Sequence, residues 1–400
     1  MRILMLAHRI PYPPHTGDKL RAFHVARYLA RRHQLALGFL IHDADDRAGI
    51  ERVREVVGDV EHARIWKPWS IGKGLAALAT GGSLTLPYFH SRRLRTQVAR
   101  RLAGSSFDVI YASSSPMAQY AEGSGLPLVM DFVDVDSDKW IQYAGRSRPP
   151  RSWLYRTEGR RLQAYESKIA RRASYCVLAT EAEESLLHSF APWARTAVIP
   201  NGTDLDYYQP IEPASELPAV IFTGAMDYLP NVDAVTYFCD SIFPLVRRRL
   251  PGAVFYIVGL NPAPAVVRLG GREGVVVTGA VTDVRPYYAR ASVCVAPLRI
   301  GRGVQNKVLQ AMALALPVVA SPLAARGLVA VPGTHLAVES DADGFAARVV
   351  ALLQDPAAAQ ALGRRGRALV EASYSWEGCF SRLEEVIQSA VRDRAMEAAA

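Results

Sequence analysis

The stretch Val293-Cys-Val-Ala-Pro297, with Gly301-Arg-Gly-Val-Gln-Asn-Lys-Val-Leu-Gln310 and Pro317-Val-Val-Ala-Ser321 after it, decides the fold. An apolar strand runs into a glycine turn, the turn opens a helix that ends before Pro317, and a second buried strand follows. A glycine turn at the start of a helix presents backbone N–H groups and the positive end of the helix dipole to an anion. Lys307 lies within the first turn of this helix and adds a full positive charge. The stretch therefore predicts a diphosphate-binding site.

Short apolar strands alternate with amphipathic helices along the chain, which is typical of parallel sheets covered by helices on both faces. Six strands are predicted in the first half: Ile3–Ala7, Leu35–Ile41, Val109–Ala112, Leu128–Phe132, Cys176–Ala179 and Ala197–Ile199. Six more are predicted in the second half: Ala219–Gly224, Val254–Val258, Val275–Thr278, Val293–Ala296, Pro317–Ala320 and His335–Val338. A proline-rich break near residues 205–217 separates the halves.

We therefore expect an α/β fold with two Rossmann-like, doubly wound domains that face a central cleft. Open sheets of this kind bind ligands at the carboxyl ends of their strands. The expected boundaries are residues 1–204 and 205–373 for the two domains. Residues 374–400 are expected to form a C-terminal helix that packs back toward the first domain.

Composition narrows the class of protein. A chain of 400 residues, half of them hydrophobic, is long enough for two cores. No apolar run approaches the roughly 20 residues that span a bilayer, and Met1–Ala7 is typical of a first strand rather than a signal peptide. The four scattered cysteines predict reduced core residues in a cytoplasmic protein, with one disulfide pair as the alternative.

The charge is unevenly distributed. Residues 1–180 carry 28 Lys and Arg against 16 Asp and Glu, a net charge of +12, and the remainder has a net charge of −3. Residues 146–172 hold nine basic residues against two glutamates, interleaved with Trp153 and Tyr155. This stretch favours contact with an anionic membrane surface, with an ordinary solvated surface as the alternative. No nucleic-acid recognition module accompanies it, so we expect no nucleic-acid partner.

The first loop, between the strand Ile3–Ala7 and the next helix, has the same design as the loop at Gly301. Gly17 permits close approach of the backbone to a phosphate or sugar. Asp18 is a candidate sugar or acceptor contact, or else a cap of the following helix. Lys19 and Arg21 are consistent with solvated helix positions.

Other polar residues follow predicted strands and have two readings each. Asp131, Asp134 and Asp136 are candidate acceptor or sugar contacts, or else loop and helix-cap residues. Ser113–Ser115, with Ser114 at its centre, are candidate small hydroxyls of a sugar pocket. Asn201 lies either at a ligand-binding crossover loop or in an ordinary Asn-Gly turn. Asp227 and Asn231 are candidate donor contacts, and Asn231 is equally suited to cap a helix.

With these residues in place, the chain resembles the family 4 retaining glycosyltransferases of the GT-B fold over nearly its whole length. The resemblance is carried by the Gly17 loop, by Val198-Ile-Pro-Asn-Gly-Thr-Asp204, by Val254-Phe-Tyr-Ile-Val-Gly259 and by the block 301–321. The variant block, together with Thr223-Gly-Ala-Met-Asp-Tyr-Leu-Pro-Asn231, resembles a narrower branch found in bacterial exopolysaccharide clusters associated with the PEP-CTERM/exosortase sorting system.

The chain departs from the family pattern at four places. The family usually has two glutamates eight residues apart where this chain has Arg302 and Gln310, and Gln310 can still hydrogen-bond ribose hydroxyls without a charge. The usual Arg and Lys after the first strand of the second domain are replaced by residues that include Asp227 and Asn231. A commonly glycine position holds Ala315.

The resemblance implies a glycosyltransferase that moves a sugar from a UDP- or GDP-linked donor to a glycan or lipid-linked acceptor. Lys307 and Arg302 would stabilise the departing diphosphate as the catalytic cations. The implied donor-binding residues are Gly17, Asp227, Asn231, Gly301, Gly303, Val304, Asn306 and Gln310. The implied acceptor or sugar contacts are Asp18, Ser114, Asp134, Asp136 and Asn201. Residues 1–204 would bind the acceptor and residues 205–373 the donor.

The resemblance implies no metal and no prosthetic group. Fixed cations would do the work of a metal at the diphosphate. A cytoplasmic location, peripheral at the inner face of the plasma membrane, is expected. Two alternatives remain open: a hexosamine epimerase of the same architecture, and a non-catalytic nucleotide-binding scaffold of a polysaccharide assembly complex.

Overall fold

Two parallel β-sheets organise the chain in the computed structural model, which describes residues 1–14, 16–42, 48–145, 147–210, 218–301 and 303–399. The chain divides into two compact units, Met1–Ile199 with Phe380–Ala400, and Pro200–Cys379. The first unit contains a seven-stranded sheet and the second a six-stranded sheet. The fold is α/β, with two Rossmann-like parallel sheets that have helices packed against them, as the sequence predicts.

The strands of the first unit are β1 Arg2–Ala7, β2 Gln34–Ile41, β3 Asp59–Arg64, β4 Val109–Ser113, β5 Leu128–Val133, β6 Tyr175–Leu178 and β7 Thr196–Val198. Its helices are α1 Gly17–Arg32, α2 Gly49–Val57, α3 Lys67–Ala79, α4 Thr85–Tyr88, α5 Arg92–Gly104, α6 Asp136–Gly145, α7 Arg151–Arg172 and α8 Glu181–Phe190. The strand order is β3-β2-β1-β4-β5-β6-β7, with every pair parallel.

The strands of the second unit are β8 Ala219–Thr223, β9 Val254–Val258, β10 Val275–Gly279, β11 Val293–Ala296, β12 Val318–Ala320 and β13 Ala337–Val338. Its helices are α9 Leu229–Tyr237, α10 Phe243–Arg249, α11 Pro264–Leu269, α12 Arg285–Tyr288, α13 Asn306–Ala313, α14 Pro322–Ala325, α15 Ala342–Gln354 and α16 Pro356–Ser373. The last helix, α17, runs from Trp376 to Ala399. The strand order is β10-β9-β8-β11-β12-β13, again parallel throughout.

The central strands are buried on both faces, which explains why they read as continuous apolar runs. The side chains of β4, β8, β11 and β12 are buried throughout, and each sheet packs one core against its helices. The sequence prediction missed β3, because this strand at the edge of the sheet carries mostly polar, half-exposed residues (Asp59-Val-Glu-His-Ala-Arg64).

Each sheet has a switch point, where the strand order reverses direction. The switch lies between β1 and β4 in the first unit and between β8 and β11 in the second. Ligands of open α/β sheets bind outside the carboxyl ends of the strands at such points. The loops that follow β4, β8 and β11 contain Ser114, Asp227 and Gly301, and the loop after β1 leads into Gly17, the first residue of α1. Most of the candidate residues therefore fall at the two switch points.

The cysteines lie in the core as reduced residues, as the sequence predicts. All four cysteines are buried as thiols. Across the described ranges, we find no helix long and apolar enough to cross a membrane.

Candidate functional site

The loop after β11 forms the turn that the sequence predicts. Gly301 has φ 149° and Gly303 has φ 64°, backbone conformations that side-chain-bearing residues rarely adopt. Arg302 lies outside the described residues. Val304 is buried, Gln305 occupies the N-cap position of α13, and Asn306 and Lys307 are the first two residues of the helix. The first-turn N–H groups of a helix have no partner within the helix, so this loop can bind an anion.

Lys307 is buried, with only 9% of its surface exposed. Its Nζ lies 3.2 Å from Oε1 of Gln305 and 5.1 Å from the centre of the Phe222 ring, at the end of β8. Burial lowers the pKa of this amine to about 8, because desolvation disfavours the charged form. A buried cation at a helix N-terminus is a poised partner for a phosphate, because binding the anion would compensate the desolvation.

Asn201 lies beside the same helix start. Its Nδ2 donates to Oδ1 of Asn306 at 3.4 Å, and the Asn201 side chain is buried. Gly202, which follows it, packs against the Trp376 indole so closely that a Cβ would lie 2.6 Å from the ring. This loop is thus packed in place, and a role of Asn201 in ligand binding stays a prediction. Gln310 lies on α13 three residues after Lys307, on the neighbouring turn of the helix.

The loop after β8 uses Asn231 to hold its own backbone. Asn231 lies inside α9 rather than at its N-cap, which is Tyr228, so the capping alternative is wrong. Its Nδ2 donates to the carbonyl of Ala225 at 2.9 Å, and a Cβ on Gly224 would lie 2.6 Å from that nitrogen. Asp227 is exposed, and its Oδ2 accepts from Asn261 at 3.4 Å. A role of either residue in donor binding stays a prediction.

In the first unit, Asp18 lies in the first turn of α1, next to the exposed Gly17. Thr16 occupies the N-cap position, so Asp18 does not cap the helix as the alternative proposed. Its Oδ2 lies 3.2 Å from Nε2 of His8 and 3.8 Å from Nε of Arg9, and its Oδ1 accepts from the Thr16 hydroxyl. Burial acts to raise the pKa of Asp18, but the hydrogen bonds and charges of these neighbours outweigh it and hold the pKa well below its usual range.

A second carboxylate, Asp136, follows β5. The hydroxyls of Ser114 and Ser115, at the end of β4, each lie 3.4 Å from its Oδ2. Burial raises the pKa of Asp136, although the charges of Lys139 and His8 and the two serine hydrogen bonds oppose this. Asp134 is half-buried in the same loop, and its amide donates to the Phe132 carbonyl at 2.8 Å.

Backbone strain is concentrated beside Asp136. Ser114 has φ 74° and Val133 has φ 64°, and a β-branched residue in this region is an outlier. Such conformations cost of order 1–3 kcal/mol and accumulate at functional sites. They occur here at the carboxyl ends of the neighbouring strands β4 and β5.

Below this edge, a buried ionic network involves residues that sequence reasoning assigned elsewhere. Arg21 is fully buried rather than solvated. Its Nε and Nη2 donate to the two Asp131 oxygens at 2.8 and 3.1 Å, and its Nη1 donates to the Ile199 carbonyl at 2.9 Å. The Tyr111 hydroxyl donates to the same carboxylate. Asp131 lies within β5, so its role is to join α1 to the sheet, and only Asp134 and Asp136 remain as loop candidates.

Sequence reasoning also missed Glu166, on α7. This side chain is fully buried, and its Oε1 accepts from the Ser137 amide at 3.2 Å, at the start of α6. Burial, followed by the nearby charge of Asp136, raises the pKa of Glu166 to about 8. Sequence alone contains no signal for this position, because it depends on how α6 and α7 pack.

The basic stretch predicted at residues 146–172 forms most of α7; Arg146 lies outside the described residues. Arg161 is half-buried and donates to the carbonyls of Leu78 and Gly82, at 2.6 and 2.8 Å. Arg151, Arg156 and Arg160 are exposed. No group of three or more His, Cys, Asp or Glu side chains is arranged as metal ligands in the part of the chain that the structure describes.

Two Rossmann-like sheets, each with polar residues at its switch point, define a GT-B protein. Solved structures share this fold. Anabaena HepE, in complex with UDP-glucose, has a TM-score of 0.69 and 15% identity, covering 97% of this chain and 100% of that one. Sucrose-phosphate synthase from Thermosynechococcus elongatus has a TM-score of 0.69 and 17% identity, covering all of both chains.

Residues 217–355 match the family described as glycosyl transferases group 1, and residues 16–202 match the glycosyl transferase 4-like domain. The chain therefore belongs to the group 1, or family 4, glycosyltransferases, which are retaining enzymes.

Two curated relatives share part of the sequence. The GDP-mannose-dependent alpha-(1-6)-phosphatidylinositol monomannoside mannosyltransferase of Mycobacterium tuberculosis is 29% identical over 226 residues, 50% of this chain and 57% of that protein. The GDP-mannose-dependent monoacylated alpha-(1-6)-phosphatidylinositol monomannoside mannosyltransferase of Corynebacterium glutamicum is 40% identical over 85 residues, 21% of this chain and 22% of that protein. The matches thus span little more than half of the first relative and about a fifth of the second.

Proposed function

We propose that this chain transfers a sugar from a nucleotide diphosphate donor to a hydroxyl of a lipid-linked or glycan acceptor, with retention of configuration. The observation that carries this proposal is the buried Lys307 at the start of α13, behind a turn of two glycines with positive φ. Among the described residues, no carboxylate lies within ion-pair distance of the Lys307 amine. A bound diphosphate would supply the missing negative charge.

The chemistry assigned to this site is stabilisation of the leaving group. As the glycosidic bond breaks, negative charge develops on the diphosphate, and we assign Lys307 and the open amides of α13 to that charge. Arg302, which lies outside the described residues, stays the predicted second cation. One preorganised donor of this kind is worth about 2.7–4 kcal/mol in a well-studied enzyme. Gly301, Gly303, Val304, Asn306 and Gln310 would complete the donor site, with Asn201 beside them.

In the first unit, we assign the acceptor or the transferred sugar to the edge formed by Asp18, Ser114, Asp134 and Asp136. Ionised Asp18 accepts hydrogen bonds from sugar hydroxyls, and its low pKa keeps it ionised at neutral pH. We accordingly keep residues 1–204 as the acceptor-binding domain and 205–373 as the donor-binding domain.

The relatives direct the choice of substrates to test. The curated relatives are named for GDP-mannose and phosphatidylinositol mannosides, and a structural neighbour was solved with UDP-glucose. We propose a GDP- or UDP-sugar donor and a lipid-linked acceptor, used at the inner face of the plasma membrane. The PEP-CTERM-associated exopolysaccharide branch remains our proposal for the pathway, on the basis of the variant block at Gly301.

Thermal shift with GDP, UDP, GDP-mannose and UDP-glucose is the first test, followed by transfer of radiolabelled sugar to lipid extracts. We expect one nucleotide to raise the melting temperature and its sugar to be transferred. Lys307→Met should strongly reduce both effects, while Lys168→Met, a change of the same kind at a side chain that is 75% exposed on α7, should reduce neither. Stabilisation by a nucleotide without any transfer would favour the scaffold alternative. No stabilisation by any nucleotide would contradict the proposal.

A further inference from the structure

The exposed side chains that the structure describes on α3 are apolar, which is unusual for a helix at a protein surface. Trp66, which precedes the helix, is 65% exposed, Trp69 is 64% exposed and Ile71 is 54% exposed. The other exposed positions of the helix with described side chains are Pro68, Gly72, Ala76 and Ala79. Exposed helix faces are normally charged or polar, and exposed apolar patches mark interaction sites.

The helix α5, from the same part of the chain, shows the ordinary pattern. Its exposed positions include Arg92, Arg93, Arg95 and Arg100, while Leu94 and Val98 are buried. The apolar surface is therefore particular to α3 and is not a general property of this region.

The charged residues of the chain segment that contains α3 all have the same sign. Residues 62–107 contain no Asp and no Glu, whereas they contain eight basic residues: Arg64, Lys67, Lys73, Arg92, Arg93, Arg95, Arg100 and Arg101. Exposed aromatic and aliphatic side chains in a segment whose charged residues are all basic are complementary to a bilayer with anionic headgroups. Tryptophan is also the residue that accumulates at the membrane–water interface.

This helix is anchored to the basic helix α7. Arg161 binds the carbonyls of Leu78 and Gly82 at the C-terminal end of α3. Glu158, also on α7, accepts from the Ser83 hydroxyl and the Leu84 amide, both at 2.6 Å, just beyond it. These hydrogen bonds tie the C-terminal end of α3 to α7, the helix that carries the exposed Arg151, Arg156 and Arg160.

We propose that α3 is an interfacial helix that inserts Trp66, Trp69 and Ile71 among the lipids of an anionic bilayer. The basic residues of segment 62–107 contact the headgroups around it. The inference deepens the proposed function, because a lipid-linked acceptor presents its reactive hydroxyl at that surface. It assigns the apolar anchor to α3, which the sequence analysis, based on residues 146–172, did not identify.

The test is co-sedimentation of the full chain with vesicles of phosphatidylcholine, alone or mixed with phosphatidylglycerol. We expect the wild type to bind the mixed vesicles, with binding that weakens as salt is added. The double variant Trp66→Ser/Trp69→Ser should lower the partition coefficient roughly 10- to 100-fold. Val267→Ser, at a position 55% exposed on α11 of the other unit, is the matched control and should bind as the wild type does.

Quenching of tryptophan fluorescence by brominated lipids gives a second readout, which should be largely lost in the double variant. Equal vesicle binding by wild type and double variant would overturn the proposal, as would a wild type that binds no vesicles. A dimer that the double variant dissociates would identify α3 as a protein interface and would equally overturn it. The proposed transfer reaction is tested separately with a water-soluble, short-chain acceptor, on which the double variant should keep wild-type activity.

Discussion

Replacing Lys307 with methionine should make the protein more stable at pH 7 while weakening its binding of nucleotide diphosphates. The amine is buried, and its pKa falls from the ordinary 10.5 to about 8. Below about pH 8 the folded protein buries a protonated Lys307 amine, which is solvated less well there than it is by water in the unfolded chain. The difference between the two pKa values corresponds to about 3 kcal/mol of lost stability. Methionine has similar length and no charge, so it removes this cost.

The sign of the pH dependence follows from the lowered pKa. Between pH 8 and 10.5 the unfolded chain binds more protons at this site than the folded chain, so wild-type stability should rise with pH over that window. The advantage of Lys307→Met should therefore be largest at pH 7 and nearly gone above pH 10. Equilibrium urea unfolding at pH 7 and pH 10 measures it, with Lys307→Arg, which keeps the charge, as the control that should show no gain.

Binding should change in the opposite direction. A hydrogen bond to a charged group contributes about 1.5–3 kcal/mol, so Lys307→Met should weaken UDP or GDP binding roughly 10- to 100-fold in isothermal titration calorimetry. A variant less stable than wild type at pH 7 would refute the reasoning, because it would show that the protein's own contacts already satisfy the charge. Unchanged nucleotide affinity would refute the assigned role.

Three further predictions concern stability. Ala315→Gly should raise the free energy of unfolding by about 1 kcal/mol, measured by thermal unfolding. The reason is that Ala315 has φ 57° just after α13, where the Leu316 amide donates to the Ala311 carbonyl. An unchanged stability would contradict this prediction. Glu166→Gln should flatten the dependence of stability on pH between about pH 5 and 8. Because the pKa of Glu166 is raised to about 8, its contribution to stability is present at low pH and is lost as the pH rises through about 8. A pH profile identical to that of the wild type would contradict this prediction. Arg21→Met should cost about 3–5 kcal/mol in urea unfolding, because it leaves the buried Asp131 charge unpaired, whereas a loss under 1 kcal/mol would mean that Tyr111 and the Val133 amide suffice.

The amino-acid order determined the architecture and the place of the donor loop. Because central parallel strands are buried on both faces, their sequences are continuous apolar runs that can be recognised without a structure. All twelve predicted strands are present within two residues of their predicted ends. The two-glycine turn before Lys307 could be recognised because its backbone conformations require glycine.

Tertiary structure decided what each charged side chain does. Arg21 looks like an ordinary helix arginine in the sequence, and only packing shows that it pairs with Asp131, 110 residues away. The sequence singles out Lys307 by its place after the glycine turn, but only packing shows that it is buried beside Phe222. The edge strand β3 was invisible because its half-exposed residues follow no apolar pattern. A side chain becomes buried only when the helices pack against the sheets. The free-energy cost of burying a charge, which shifts the pKa of the group, therefore depends on the tertiary structure and not on the local sequence.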